Sequence, residues 1–176
     1  GIAFNLLVNN SASGNWAYFV SQYNNALTVE FDTHYDGAFD IENDHSSLHI
    51  NGNNIAGTST LGVTQNSAYS YSSHIQRPIN IVDLGDIEDG NWKTFKFSWS
   101  ASTKTITVYF EGQQIMTYKV DLVNDVFNGN NLAYLSFAAD NYNTNQEHRV
   151  YIKKICEGEA GSEESIFKGY KTPNDL

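Results

Sequence analysis

Residues 95–120, FKFSWSASTKTITVYFEGQQIMTYKV, decide the fold class of this chain. Apolar side chains take every second position over 95–99 and again over 106–110, with polar residues between them. This alternation is typical of strands that bury one face of a sheet. Small and polar residues at 101–104 and 111–114 are typical of turns. The stretch therefore predicts an antiparallel meander of three strands.

The composition of the whole chain also favours strands. The composition includes 11 Tyr and 10 Phe, and such aromatic residues favour strands. A helical turn is expected at 121–127. We predict an all-β fold, an antiparallel β-sandwich or jelly roll, as one domain over residues 1–155 with a tail or linker at 156–176. Further strands are predicted at 16–20, 26–32, 132–138 and 149–155.

Charge and composition exclude several classes of protein. The formal net charge of −10 argues against a nucleic-acid partner, because the phosphate backbone attracts basic surfaces. The single cysteine, Cys156, rules out a disulfide within the chain. No apolar run approaches the roughly 18 residues of a membrane-spanning helix, so we predict no membrane span.

The acidic stretch at residues 30–45, EFDTHYDGAFDIENDH, indicates the function. It follows a predicted strand, and we expect residues 33–45 to form a loop. Two carboxylates about 5 Å apart repel by roughly 3 kcal/mol at an effective dielectric constant of about 20. A bound divalent cation removes this repulsion. Metal binding is therefore the first hypothesis for the stretch.

Two other interpretations of the acidic stretch fit less well. A helix–loop–helix calcium motif needs a bidentate Glu at its twelfth position, where this chain has Asn43, and the flanking segments are strands. A glycosidase needs a second carboxyl group as acid/base partner. On the strand that carries Glu30 and Asp32, His34 and Tyr35 stand where that group is expected. A structural site for two metals remains.

The spacing within this stretch resembles a known signature. VEFDT at 29–33, followed by Asp36, Asp40 and His45, is similar to the metal-binding signature of legume-type (L-type) lectins. The resemblance covers about residues 1–155 and implies a concanavalin-A-like sandwich that binds carbohydrate without catalysing a reaction. Weaker similarity to other parts of that family is found at 1–4, 89–108, 135–139 and 147–150.

The resemblance implies two adjacent metal sites. Three carboxylates and one imidazole suit Mn²⁺ or another transition metal. An all-oxygen set suits Ca²⁺. Glu42 and Asp44 fall at no ligand position. The transition-metal ligands are expected to be Glu30, Asp32, Asp40 and His45, and the Ca²⁺ ligands Asp32, Asp40, the Asp36 side chain and the backbone carbonyl of His34.

The resemblance also implies a sugar site built from loops that the metals hold in place. His34 would supply the surface on which a sugar ring stacks. Asp36 stands where the family usually has Asn, and an ionised carboxylate accepts hydrogen bonds but cannot donate them. The residues expected to bind carbohydrate are Gly14, Asn15, His34, Asp36, Asp140 and Asn141.

The expected function is that of a secreted or cell-surface lectin that acts in adhesion. The family carries strands before the glycine that matches Gly1. We expect these strands to come from a companion chain, unless the sequence is a fragment. A homo-oligomer is also left open. The alternatives are a glycoside hydrolase on the same sandwich and a structural or adhesive domain that its metals only stiffen.

Overall fold

The computed structural model describes residues 1–8, 25–34, 43–50, 53–54, 58–59, 81–139 and 147–156. The chain divides into two compact units, Gly1–Gln146 and Glu147–Leu176. The first unit contains two antiparallel β-sheets, and this confirms the predicted all-β sandwich. No helix in these ranges is long and apolar enough to cross a membrane. The expected domain boundary at residue 155 remains a prediction.

The described residues form ten strands. In chain order the strands are β1 Ile2–Leu7, β2 Ala26–Asp32, β3 Asp44–Ile50, β4 Asn53–Asn54, β5 Thr58–Ser59, β6 Ile81–Gly85, β7 Phe95–Ser100, β8 Thr105–Phe110, β9 Gln113–Lys119 and β10 Tyr134–Ala139. The first sheet has the strand order β10–β1–β2–β3–β4, and β6 also pairs with β3. The second sheet has the order β5–β9–β8–β7.

The meander predicted from residues 95–120 is confirmed as β7, β8 and β9, but Gln113 and Gln114, which were expected in the second turn, already belong to β9. Directly opposite residues lie on the same face of a sheet, so the register pairs apolar with apolar side chains. Phe97 lies opposite Val108, and Trp99 lies opposite Ile106. Lys104 and Glu111, in the two turns, have positive φ angles of 53° and 49°. The left-handed backbone conformation of these two residues helps to reverse the chain direction between the strands.

The core lies between the two sheets. Val29 and Leu48 of the first sheet are buried with Ile106 and Val108 of the second. Each such side chain contributes about 1.5–3 kcal/mol when it is fully removed from water. Aromatic rings add contacts across the same interface, since the ring centroids of Phe31 and Phe95 lie 5.2 Å apart in an edge-to-face arrangement.

A single helical turn at Leu122–Val126 follows β9, as the sequence predicts. Asp121 precedes the turn, and its side chain accepts a hydrogen bond from the backbone N–H of Asn124 at 3.2 Å. This capping satisfies a donor that has no partner within the turn. Leu122 and Val126 are buried, so the turn closes one part of the core.

Two sequence-based expectations about strands need correction. Asp44 and His45 belong to β3 rather than to the acidic loop, because they pair with β6 and His45 also pairs with β2. The expected strand at 149–155 is absent, since residues 147–156 form no strand. The residue types at 149–155 favour an extended chain, but a strand also needs a neighbouring strand for its hydrogen bonds. The strand expected at 16–20 lies outside the described residues.

Candidate metal centre

A row of polar side chains lies on the outer face of the first sheet. The register of β2 and β3 places Asp32 opposite His45, Glu30 opposite Ser47, and Thr28 opposite His49. Side chains two residues apart on a strand share a face. All six therefore lie on the side away from core residues such as Val29. Three of the predicted metal ligands, Glu30, Asp32 and His45, belong to this row.

These outer-face side chains are shielded from solvent. Thr28 is 2% exposed, Ser47 1%, His45 4% and His49 7%, and the side chain of Glu30 is 16% exposed. The outer face of an antiparallel sheet is more often solvated. Buried polar groups need hydrogen-bond partners, so the contacts of this row determine what it can do.

Glu30 is held through one carboxylate oxygen. Ser47 Oγ donates to Glu30 Oε2 at 2.7 Å, and His49 Nε2 lies 3.0 Å from the same oxygen. Burial raises the pKa of Glu30. The hydrogen bond and positive charge of His49, the Ser47 hydrogen bond and the charge of His45 outweigh that effect and lower the pKa to about 2. Glu30 is therefore a carboxylate at neutral pH, the form that binds metals.

Asp32 is oriented by the chain that follows it. The backbone N–H of His34 donates to Asp32 Oδ1 at 3.0 Å. Gly1 lies against the same residue. A Cβ at Gly1 would stand 2.7 Å from the carbonyl oxygen of Phe31 and 3.2 Å from Asp32 Oδ1. Because the first contact is too short for a real Cβ, only glycine fits beside Asp32 with this backbone.

His45 is oriented by a backbone carbonyl. Its Nδ1 lies 3.4 Å from the carbonyl oxygen of Asn43. This contact favours the tautomer with the proton on Nδ1, in which Nε2 carries the lone pair. Metal-binding histidines commonly have this arrangement, because the second-shell acceptor fixes both the tautomer and the ring orientation. The geometry of His45 therefore suits a metal ligand.

The remaining carboxylates near this row have structural contacts. Asp83, opposite His45 in β6, accepts from Asn43 Nδ2 and from the backbone N–H of Gly85, both at 2.8 Å. Asp44 accepts from the backbone N–H of Ile87 at 2.7 Å. The bond to Ile87 ties β3 to the segment after β6. The expectation that Asp44 is not a metal ligand remains a prediction.

Sequence reasoning missed the two residues that contact Glu30. Ser47 and His49 follow His45 at alternate positions, so the period of two in β3 already placed them on its face. That signal was present in the sequence. Their contact with Glu30 depends on the register of β3 against β2, which is a long-range property.

The donor chemistry fits a transition metal in type. Glu30, Asp32 and His45 supply two carboxylates and one imidazole on one face, which suits Mn²⁺ or a related ion. Within the described ranges, however, no three His, Cys, Asp or Glu side chains are grouped so that they could hold an ion by themselves. The remaining predicted site residues lie outside those ranges: Gly14, Asn15, Asp36, Asp40, Asp140 and Asn141.

The Glu30–Ser47–His49 cluster is not arranged for nucleophilic catalysis. A catalytic serine must reach its substrate and pass its proton to the histidine. Ser47 is buried within a strand, and its hydroxyl donates to Glu30. The cluster is better suited to orient a carboxylate.

No protein-family model matches the chain. The similarity to legume-type lectins therefore rests on the residues and spacings quoted above. The fold and the outer-face row of the first sheet are independent of that similarity.

Proposed function

We propose that the chain is a non-catalytic carbohydrate-binding domain of the L-type lectin kind that depends on Ca²⁺ and on Mn²⁺ or a similar ion. The main support is the register of β2 and β3, which puts Asp32 opposite His45 with Glu30 next along the same outer face of the sheet. The spacing of the predicted ligands in the sequence is the second support.

Preorientation of the donors supports the metal part of the proposal. Three predicted ligands each have a separate contact: Glu30 with Ser47, Asp32 with the N–H of His34, and His45 with the carbonyl of Asn43. Such outer contacts set the direction of metal ligands and strengthen binding. In this proposal Asp40 completes the transition-metal set, and Asp36 and the His34 carbonyl complete the calcium set.

The sugar part of the proposal follows from the position of His34. The segment that carries His34 and Asp36 follows β2 in the sequence, and the backbone N–H of His34 donates to Asp32 Oδ1. A divalent ion on Asp32 would hold this segment in place. Preorganised donors and acceptors bind a polyol with less loss of entropy. Gly14, Asn15, Asp140 and Asn141 are proposed to supply the other sugar contacts.

A glycan array tests the proposal. The protein is stripped with a chelator and then applied with or without added Ca²⁺ and Mn²⁺. Binding to glycans is expected only with the ions. Asp32→Asn should abolish binding. Asp83→Asn serves as the matched control, because Asp83 lies opposite His45 on the neighbouring strand β6 but contacts Asn43 and Gly85 instead.

The alternatives predict different results in the same experiment. Release of reducing sugar from the array glycans would identify a glycoside hydrolase and contradict the proposal. Uptake of ions without any glycan binding would indicate a domain that the metals only stiffen. Metal-independent glycan binding would contradict the proposed role of the ions.

A further inference from the structure

A chemically reactive dipeptide, Asn128–Gly129, follows the helical turn at Leu122–Val126. Both residues are exposed, and both have left-handed backbones, with φ angles of 52° and 84°. An asparagine that precedes a glycine is prone to lose its side-chain ammonia. The glycine has no side chain, so its backbone nitrogen can approach the amide of the asparagine closely.

The reaction at such a pair is an intramolecular substitution. The backbone nitrogen of Gly129 gives up its proton and attacks Cγ of Asn128. The new N–C bond forms, the bond from Cγ to Nδ2 breaks, and Nδ2 leaves as ammonia. Water then opens the cyclic imide at either carbonyl and gives aspartate or isoaspartate. The nitrogen of Gly129 must therefore be free to lose its proton and to move towards Cγ.

The folded chain holds this nitrogen in a hydrogen bond. The N–H of Gly129 donates to the carbonyl oxygen of Val123 at 2.7 Å, across the end of the helical turn. The next N–H, that of Asn130, donates to the carbonyl oxygen of Phe127 at 3.0 Å, and Asn130 Nδ2 donates to the same oxygen at 3.1 Å. While these bonds are intact, the nitrogen keeps its proton and stays in place.

We propose that Asn128 is a deamidation site that reacts only when the segment 122–130 opens locally and the bond from Gly129 to Val123 breaks. Short elements with exposed backbone bonds open more often than the whole protein unfolds. This segment has a single helical turn, and Asn124 and Asp125 on that turn are exposed. The inference is independent of the proposed function.

Deamidation should also make the segment open more often. Isoaspartate adds a methylene group to the backbone and so displaces the N–H of Gly129 from Val123. Either product adds a negative charge at the C-terminal end of the turn, where the carbonyl groups already carry partial negative charge. Leu122 and Val126 of this turn are buried, so the modification weakens an element that closes part of the core.

Peptide mapping by mass spectrometry tests the proposal on protein incubated in mildly alkaline buffer, folded or unfolded in urea. In urea, Asn128 should deamidate about as fast as Asn51, which also precedes a glycine. In the folded protein Asn128 should react at least about fivefold more slowly than in urea, the factor that corresponds to one net hydrogen bond.

Two variants distinguish local opening from global unfolding. Asp121→Ala removes the side chain that caps the turn and should speed deamidation of the folded protein by about 2- to 30-fold, the factor for loss of an N-cap. Thr28→Val is the matched control, because it removes a buried hydrogen bond of the first sheet and leaves the turn unchanged. It should not alter the rate at Asn128.

Several results would contradict the proposal. Equal rates in folded and unfolded protein would show that the hydrogen bond to Val123 gives no protection. No reaction at Asn128 in urea would show that it is not a deamidation site. Equal acceleration by Asp121→Ala and Thr28→Val would show that the reaction follows global unfolding, and no response to Asp121→Ala would exclude opening of the turn.

Hydrogen exchange at the Gly129 amide tests the same point on the wild type, without any substitution. Exchange and deamidation both require the bond to Val123 to open. Folding should therefore slow the two processes by the same factor. Rapid exchange together with slow deamidation, or any other clear mismatch between the two factors, would overturn the inference.

Discussion

Asp32 and His45 lie directly opposite each other on β2 and β3, although they are thirteen positions apart in the sequence. The pairing places a carboxylate and an imidazole on one outer face of the sheet, with Glu30 and Ser47 as the next pair along. It also moves His45 from the expected loop into a strand. Three of the predicted ligands, Glu30, Asp32 and His45, are therefore carried by paired strands rather than by a loop.

Removal of metal should lower the melting temperature of the wild type. Binding of a ligand to the folded state alone stabilises that state by about 2.7 kcal/mol when free ligand is 100-fold above its dissociation constant. Differential scanning calorimetry with and without EDTA measures this shift. Asp32→Asn should show little response to EDTA, while Asp83→Asn should respond like the wild type. Identical melting of the wild type in both buffers would contradict the metal hypothesis.

The metal-free protein should lose stability in acid through Glu30. The pKa of Glu30 is lowered from 4.5 to about 2, so the ionised carboxylate stabilises the fold above pH 4.5 and this contribution disappears as the pH falls towards 2. The shift corresponds to roughly 3 kcal/mol. Urea unfolding in EDTA at several pH values should show a Glu30→Gln protein that is much less stable than wild type at pH 7. The difference should shrink near pH 2.5, and a pH-independent difference would refute this account.

The hydrogen bond between the buried residues Thr28 and Asn5 should stabilise the folded state. Thr28 Oγ1 donates to Asn5 Oδ1 at 2.7 Å, and both residues are buried. Thr28→Val has a similar shape but removes the donor, so it should cost about 1–3 kcal/mol of unfolding free energy. Thr28→Ser keeps the hydroxyl and should cost less. Chemical denaturation measures both, and an equal loss in the two variants would show that packing, not the hydrogen bond, dominates.

Shortening the buried Ile106 side chain should lower the unfolding free energy in proportion to the volume that is removed. Ile106 is fully buried and lies opposite Trp99. Ile106→Val should lower the unfolding free energy by about 0.5–1.5 kcal/mol, and Ile106→Ala by about 2–5 kcal/mol, because the second leaves a larger cavity. Thr105→Ala, at the neighbouring partly exposed position, is the control. Similar small losses in all three would contradict the burial of Ile106 between the sheets.

Much of the second sheet could be predicted from the sequence, because its signals are local. Alternation at 95–99 and 106–110 determined which side chains face the core, and the residues at 101–104 and 111–112 formed the turns. The residues at 149–155 show where this reasoning fails. Val150, Tyr151 and Ile152 are residue types that favour strands, but the segment forms no strand. A local signal describes one segment, whereas a strand requires a second one.

The candidate site was predicted only in part. Spacing identified Glu30, Asp32 and His45, which the structure brings onto one face. It could not identify Ser47 or His49 as partners of Glu30, because no motif links residues on different strands.

By itself the sequence determined the three strands of the meander and the face on which each of their side chains lies, since both follow from the local geometry of an extended chain. Only the tertiary structure decided which strands are neighbours and in which register. A shift of one residue between β2 and β3 would put Ser46 opposite Glu30 in place of Ser47. The side chains of β3 that belong to the row would then lie on the other face of the sheet. The contacts around Glu30 thus depend on long-range pairing, which no single segment encodes.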